Sequence, residues 1–187
     1  MRKVIIFNLI SLDGFFEGPD HDISWHNVDD EFNKFAVEQL QLADLLIFGK
    51  RTYDLMASYW PAEQSKTDSP EIAKLMNEKN KLVFSRSLKN VVWENTTLVN
   101  SDASEKLKQV KQQPGKDIYI FGSADLCSTF INNGLIDEYR IMINPVVLGK
   151  GTPHFKSISR KMNLKLVNSK IFFSGNVLLY YVPVLEM

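Results

Sequence analysis

The chain has 187 residues, enough for one domain and few for two, with 44% apolar and 24% charged residues, the balance of an ordinary globular protein. Its 22 basic and 22 acidic residues cancel, which removes the electrostatic case for nucleic acid as a partner. No run of about 18 apolar residues is present to span a membrane, and Asn8, Ser11 and Asp13 interrupt the first apolar stretch before it reads as a signal peptide, so a cytoplasmic protein is expected.

Residues 4–10 are a nearly continuous apolar run, the signature of a strand covered on both faces. Asp13-Gly14 and Gly18-Pro19-Asp20 mark the loop that follows. From Val28 the period changes, and Val28, Phe32, Phe35, Ala36, Leu40 and Ala43 share one helical face behind Asn27 as N-cap. Residues 45–48 are a second buried strand, and Tyr53, Met56, Ala57 and Trp60 suit a short helix stopped by Pro61. Residues 62–68 read as a polar surface loop. Ser69-Pro70-Glu71 then opens a helix, with serine as cap and proline in the first turn.

Residues 81–85 and 97–99 are the next strands, and a polar helix over 101–113 ends at Pro114-Gly115. Residues 118–121 form a fifth strand closed by Gly122. Ser123 caps a helix whose apolar face holds Leu126, Cys127, Phe130 and Ile131, with Gly134 as its C′ residue. Cys127, the sole cysteine, reads as a small core residue on that face. Residues 137–147 form a strand, 148–153 a loop, and 165–173 and 177–182 two strands joined at Ser174-Gly175-Asn176. The alternation predicts a single α/β domain over 1–187: helices on a mainly parallel sheet, with an antiparallel C-terminal hairpin at its edge.

In an open parallel sheet, ligands gather beyond the carboxyl ends of the strands. Three of those ends share one chemistry here: Gly49-Lys50-Arg51-Thr52, Ser85-Arg86-Ser87 and Gly122-Ser123-Ala124. A helix start offers unpaired N–H groups and a positive dipole end, glycine admits close approach, and hydroxyls and cations add donors. Singly each is an ordinary turn; together they describe a ligand with several phosphates, such as a dinucleotide carrying a ribose phosphate. The P-loop pattern is excluded because Asp44 stands where its first glycine belongs and Arg51 where its hydroxyl belongs. Asn8 to Gly14 lacks the spaced glycines of a dinucleotide fingerprint, and no helix follows Gly149-Lys150-Gly151.

None of the three histidines has metal-ligand spacing, so no metal site is predicted. The candidate acids are Asp13, beside a glycine, and Asp29, Asp30 and Glu31 in a first helical turn, where carboxylates also favour the dipole. Trp25 lies in the loop before that helix, where a ring covers either the core or a flat ligand.

With these strand ends in view, the chain resembles the dihydrofolate reductase superfamily. Within it, the chain is most similar to the branch containing the reductase domain of the bifunctional riboflavin-biosynthesis deaminase-reductase. The motifs are "NLISLDGFFEGPD", "LIFGKRTYDLM", "LVFSRSL" and "IYIFGSADLCSTFINNGLIDEYRIMINPVVLGKGTPHF", followed by the final hairpin. The resemblance implies a three-layer α/β/α fold on an eight-stranded sheet, commonly a homodimer, and a reductase that uses NADPH. It assigns Gly49, Lys50 and Thr52 to the cofactor motif, with lysine in place of the usual arginine and Arg51 at its variable position. It assigns Ser85 and Arg86 to the 2′-phosphate and Gly122, Ser123 and Ala124 to the pyrophosphate turn.

On the substrate side the resemblance points to the loop from Ser11 to Gly14 and to the region of Lys150, with Trp25 and Tyr53 lining the pocket and Asp13 or Asp30 as the carboxylate that orients substrate or relays a proton. The expected reaction is hydride transfer to a small polar heterocyclic or sugar-derived compound, as in 5-amino-6-(5-phosphoribosylamino)uracil reduction. Dihydrofolate reduction, with Asp30 anchoring the pterin, and a non-catalytic NADP-binding sensor remain as alternatives. The zinc deaminase half is missing, since no H-x-E and P-C-x-x-C pair occurs.

Overall fold

The computed structural model describes residues 1–184. Apolar and β-branched runs supply the centre of the fold: β1 (Val4–Ser11), β3 (Ala43–Gly49), β4 (Asn80–Phe84) and β6 (Asp117–Ile120), each buried over most of its length. With β5 (Thr96–Val99), β7 (Glu138–Asn144), β9 (Leu164–Ile171) and β10 (Val177–Pro183) they form one eight-stranded sheet in the order β5-β4-β3-β6-β1-β7-β10-β9. All neighbours from β5 to β7 run parallel, while β10 is antiparallel to both β7 and β9. The mainly parallel sheet with an antiparallel C-terminal pair is the architecture expected from the sequence.

Alternate residues of each strand feed two cores. On one face Val4, Ile6, Ile47, Ile118 and Ile120 pack against α5 (Ala103–Gln112) and α6 (Ala124–Asn132) through Leu107, Val110, Cys127 and Phe130. On the other, Ile5, Phe7, Leu46, Phe48 and Tyr119 pack against α1 (Asp30–Leu42), α2 (Lys50–Tyr59) and α4 (Pro70–Glu78) through Phe35, Leu40, Tyr53, Ile72 and Met76. Cys127 is fully buried and its thiol is pushed up to about 12 by burial, as a core residue should be.

Several local expectations are corrected. Asp29, not Asn27, caps α1, accepting from the Phe32 amide at 2.8 Å. Asn27 instead ties the approach to α1 onto the end of β7 and the β9–β10 turn: its N–H donates to Asn144 Oδ1 at 2.8 Å and its Nδ2 to the Ser174 carbonyl at 2.7 Å. The polar segment after Pro61 is not all loop but contains α3 (Glu63–Asp68), fastened by Ser65 Oγ donating to the Trp60 and Ala62 carbonyls. Ser69 and Ser123 occupy the N-cap positions of α4 and α6, yet neither side chain makes a capping bond. A short ribbon outside the main sheet, β2 (Phe15–Glu17) with β8 (Thr152–Pro153), has no expectation behind it. It pairs two segments far apart in sequence, a pairing that three- and two-residue strands cannot announce by periodicity.

Candidate functional site

The site follows from a reversal in the winding. β3 and β6 are neighbours, but the helix after β3 packs on one face of the sheet and the helix after β6 on the other. The crevice where adjacent connections diverge is the place where open α/β sheets bind ligands. Here the β3 and β6 ends are in direct contact, the Gly49 amide donating to the Gly122 carbonyl at 2.9 Å. A Cβ on Gly49 would overlap Ser123 Oγ and lie 3.1 Å from the Ser123 nitrogen, so only glycine lets the two turns close together. Gly122 has φ +115, and a Cβ there would lie 2.7 Å from Phe16 Cζ and 3.0 Å from Thr52 Oγ1. The Gly122–Ser123 peptide is cis.

Two helix N-termini therefore open side by side. Neither α2, capped by Gly49, nor α6, capped by Ser123, has a side chain satisfying its first N–H groups. A cavity of about 460 Å³ lies between them, lined by Lys50, Arg51, Asp54, Ser123 and Asp125. Uncapped donors from two dipoles, a hydroxyl and neighbouring cations are the chemistry that suits an anion such as phosphate. The protein supplies its own counter-charges: Lys50 Nζ reaches Asp54 Oδ2 at 2.6 Å, Arg51 Nη1 reaches Glu17 Oε1 at 2.6 Å, and Lys156 Nζ reaches Asp125 Oδ1 at 2.7 Å.

The third predicted turn joins the same row. β4 lies beside β3 with Gly49 opposite Phe84, which sets Ser85 and Arg86 at the next strand end. Ser85 Oγ accepts from the Ser87 and Leu88 amides at 3.2 and 2.9 Å, holding the turn, while Arg86 is exposed. Gly49 to Thr52, Ser85-Arg86 and Gly122 to Ala124 thus lie at three consecutive strand ends, β4, β3 and β6.

The residues expected around the substrate have separate settings. Ser11 Oγ donates to Asp13 Oδ1 at 2.6 Å and accepts from the Phe15 amide at 2.9 Å, locking the turn after β1. The Asp13 carboxylate also accepts from the Leu148 and Gly149 amides at 3.1 and 2.7 Å, so it binds the loop after β1 to the loop after β7, which carries the exposed Lys150. The Ser11 hydrogen bond first, and the two amides after it, hold Asp13 below the usual carboxylate range. Asp30 opens α1 with an exposed side chain, and Glu31 is taken up by the hairpin, accepting from the Phe173 amide at 2.9 Å. Trp25 is half-buried, edge-on to His26, its Nε1 donating to the Asp22 carbonyl at 2.9 Å. Tyr53 packs in the core rather than along the crevice, its hydroxyl accepting from the Val92 and Trp93 amides at 3.0 and 3.2 Å.

Two participants escaped the sequence reading. Glu17, only 5% exposed, accepts from Arg51, from Thr152 Oγ1 at 2.9 Å and from His21 Nδ1 at 3.0 Å. His154 is fully buried beside Phe16 and Phe155 with both ring nitrogens unpartnered, and burial brings it down to about 4. The one sequence signal for Glu17 was a carboxylate in an otherwise apolar Phe15-Phe16 run.

The family profile of the RibD C-terminal domain matches residues 2–178. The chain belongs to that family. The uncharacterized proteins YyaP and YwjB of Bacillus subtilis (strain 168) are 37% and 31% identical to it, over 96% and 97% of this chain and 94% and 98% of their own lengths. Among solved structures, a Shewanella sp. PV-4 protein provisionally named for riboflavin biosynthesis is similar, with a TM-score of 0.76 at 22% identity. That match covers 97% of this chain and 99% of the other. The Thermotoga maritima diaminohydroxyphosphoribosylaminopyrimidine deaminase/5-amino-6-(5-phosphoribosylamino)uracil reductase gives 0.68 at 17% identity, over 98% of this RibD-like chain and 57% of that one. The fold is thus the one these RibD-like structures share.

Proposed function

We propose that this RibD-family chain is an NADPH-dependent reductase acting on a small polar heterocyclic or sugar-derived compound, in the manner of 5-amino-6-(5-phosphoribosylamino)uracil reduction. The observation that carries the proposal is the pair of uncapped helix N-termini, α2 and α6, meeting beside Lys50 at adjacent strand ends. These residues fit a pyrophosphate: the first-turn amides and Ser123 Oγ are donors with no acceptor among the described residues, and Gly49 and Gly122 keep the approach free of side chains. Ser85 and Arg86, one strand further, suit a ribose 2′-phosphate.

Bound NADPH would supply a hydride. The chain's part is to orient, to exclude water and to manage a proton. The Lys50–Asp54 pair is half-exposed on both sides, and such pairs are worth little in water, so Lys50 exchanges its partner for phosphate at small cost. Asp13, ionised and bound by three donors, fixes the two loops on the β1–β7 side, where substrate would enter. Asp30 is an exposed carboxylate at the start of α1, suited to orient substrate or to relay the proton that accompanies hydride addition to C=O or C=N. The same reading includes a cytoplasmic homodimer; it is supported by the edge strand β9, which leaves Leu166, Val167 and Ile171 exposed beside a fully exposed Phe173.

Fluorescence titration tests the cofactor assignment. NADPH is expected to bind at micromolar levels and at least tenfold tighter than NADH, with Arg86→Ala reducing that ratio. Equal binding of both, or none, rejects it. A second reading, a non-catalytic NADP-binding module, draws support from the engagement of Asp13 with three protein donors. Turnover with any member of a panel of pyrimidine and sugar-derived carbonyls removes that second reading.

A further inference from the structure

Two cations stand at the mouth of the crevice, and the structure treats them differently. Lys50 is paired with an exposed residue of its own helix, one turn on. Arg51 is paired with a carboxylate that has almost no access to water: the Glu17 side chain is 6% exposed, against 52% for Arg51. Glu17 draws on three segments at once, the 3-10 turn Pro19–His21 through His21, the first turn of α2 through Arg51, and β8 through Thr152. Its neighbour Phe16 packs against Gly122 at the end of β6.

We infer that Glu17 is a positioning residue that latches the β2–β8 ribbon onto α2 through Arg51, and that Arg51 stays on this carboxylate while Lys50 alone of the two meets a ligand phosphate. The physical reason is the asymmetry of burial. Withdrawing Arg51 towards an incoming anion leaves a buried carboxylate without the one permanent cation it has among the described residues, a costly state, because removing one partner of a buried pair uncovers the other's desolvation. Withdrawing Lys50 leaves Asp54 in water, which solvates it. Arg51 therefore acts on the site mechanically: it holds down the ribbon, the ribbon holds Phe16, and Phe16 backs the Gly122 turn.

The latch makes predictions of sign. If Glu17 and Arg51 act as one unit, Glu17→Gln and Arg51→Ala harm the same thing, and the double variant is no worse than either. If Arg51 instead contacts phosphate and Glu17 merely competes for it, Glu17→Gln frees the arginine and the two variants act in opposite directions.

Hydrogen exchange on the ligand-free chain reads the latch directly. Both single variants and the double are expected to lose the same protection, about tenfold or more, at the ribbon amides, above all His154, whose N–H donates to the Gly14 carbonyl at 3.0 Å, while Lys50→Ala leaves these amides unchanged. Unchanged ribbon exchange in Arg51→Ala, which carries a half-exposed side chain and should fold, overturns the latch. The second readout rests on the NADPH reading above. Both singles and the double are expected to weaken NADPH by a similar three- to tenfold with the salt dependence of binding retained, whereas Lys50→Ala flattens it. Tighter NADPH binding by Glu17→Gln, or a flattened salt dependence in Arg51→Ala, overturns the division of labour. Absence of NADPH binding by the unmodified chain rejects the cofactor reading and leaves the latch to be decided by the exchange data.

Discussion

Gly49 and Ser123 lie in van der Waals contact across the β3–β6 crevice, so close that a methyl group on Gly49 would overlap the serine hydroxyl. Both residues start helices, and their contact is what brings two uncapped N-termini to one point. Gly49→Ala should force those turns apart. The cost of overpacking is about 1–3 kcal/mol of stability, and phosphate affinity should fall about tenfold or more. Trimming the opposing hydroxyl in Gly49→Ala/Ser123→Ala should recover part of the stability, read as a thermal midpoint intermediate between the single variant and the unmodified chain.

Asp13 joins the loops after β1 and β7 through three donors, so Asp13→Asn should detach them. The amide keeps the size but loses the charge and one acceptor oxygen. Faster exchange of the Leu148 and Gly149 amides, with a raised KM and a smaller change in kcat, is the expected outcome. Because the folded pKa of Asp13 is lowered, its contribution is present above the ordinary carboxylate pKa and is lost as pH falls through the folded value. The loop amides should accordingly exchange faster in acid, relative to their intrinsic rates, in the unmodified chain and not in the variant.

His154 carries a pH dependence of stability. Its ring is neutral in the fold, with a pKa brought down from 6.5 to about 4 by burial alone. Between those values the unfolded chain binds a proton that the folded chain refuses, so the stability present above pH 6.5 is lost as pH falls towards 4. That loss amounts to roughly 3 kcal/mol. His154→Leu should remove about half of the combined acid loss in denaturant titrations at pH 7 and pH 4.5. His26, also at about 4 through burial with partial opposition from Asp22, should supply the comparable slope that remains.

The proposed homodimer is checked by light scattering. Leu166 and Ile171, 49% and 76% exposed on the edge strand, should lie in the interface. Replacing both with Glu should yield monomers with unchanged circular dichroism; a monomeric parent chain removes the dimer from the proposal.

The elements of the fold were legible wherever a pattern ran long enough to repeat. Residues 4–10 and 45–48 lie in strands buried over most of their length, and nearly continuous apolar runs state that directly. α6 was likewise legible from Leu126, Cys127, Phe130 and Ile131, all of which are buried. What failed was short or polar. α3 offers one buried residue, Ser65, and no apolar stripe, and β2 and β8 are too brief for any period to appear. Tyr53 was expected to line the pocket, but the α2 face on which it lies is turned to the core.

The sequence alone determined the three strand-end turns, because glycine, hydroxyl and cation at the start of a helix carry their chemistry locally. Only the tertiary structure decided that these turns stand on consecutive strands, since sheet order depends on which crossovers pass over which face. It also decided the separate fates of Lys50 and Arg51, adjacent in the chain and alike in charge. One pairs with the half-exposed Asp54 and the other with the buried Glu17, and burial is a property that no single position in a sequence specifies.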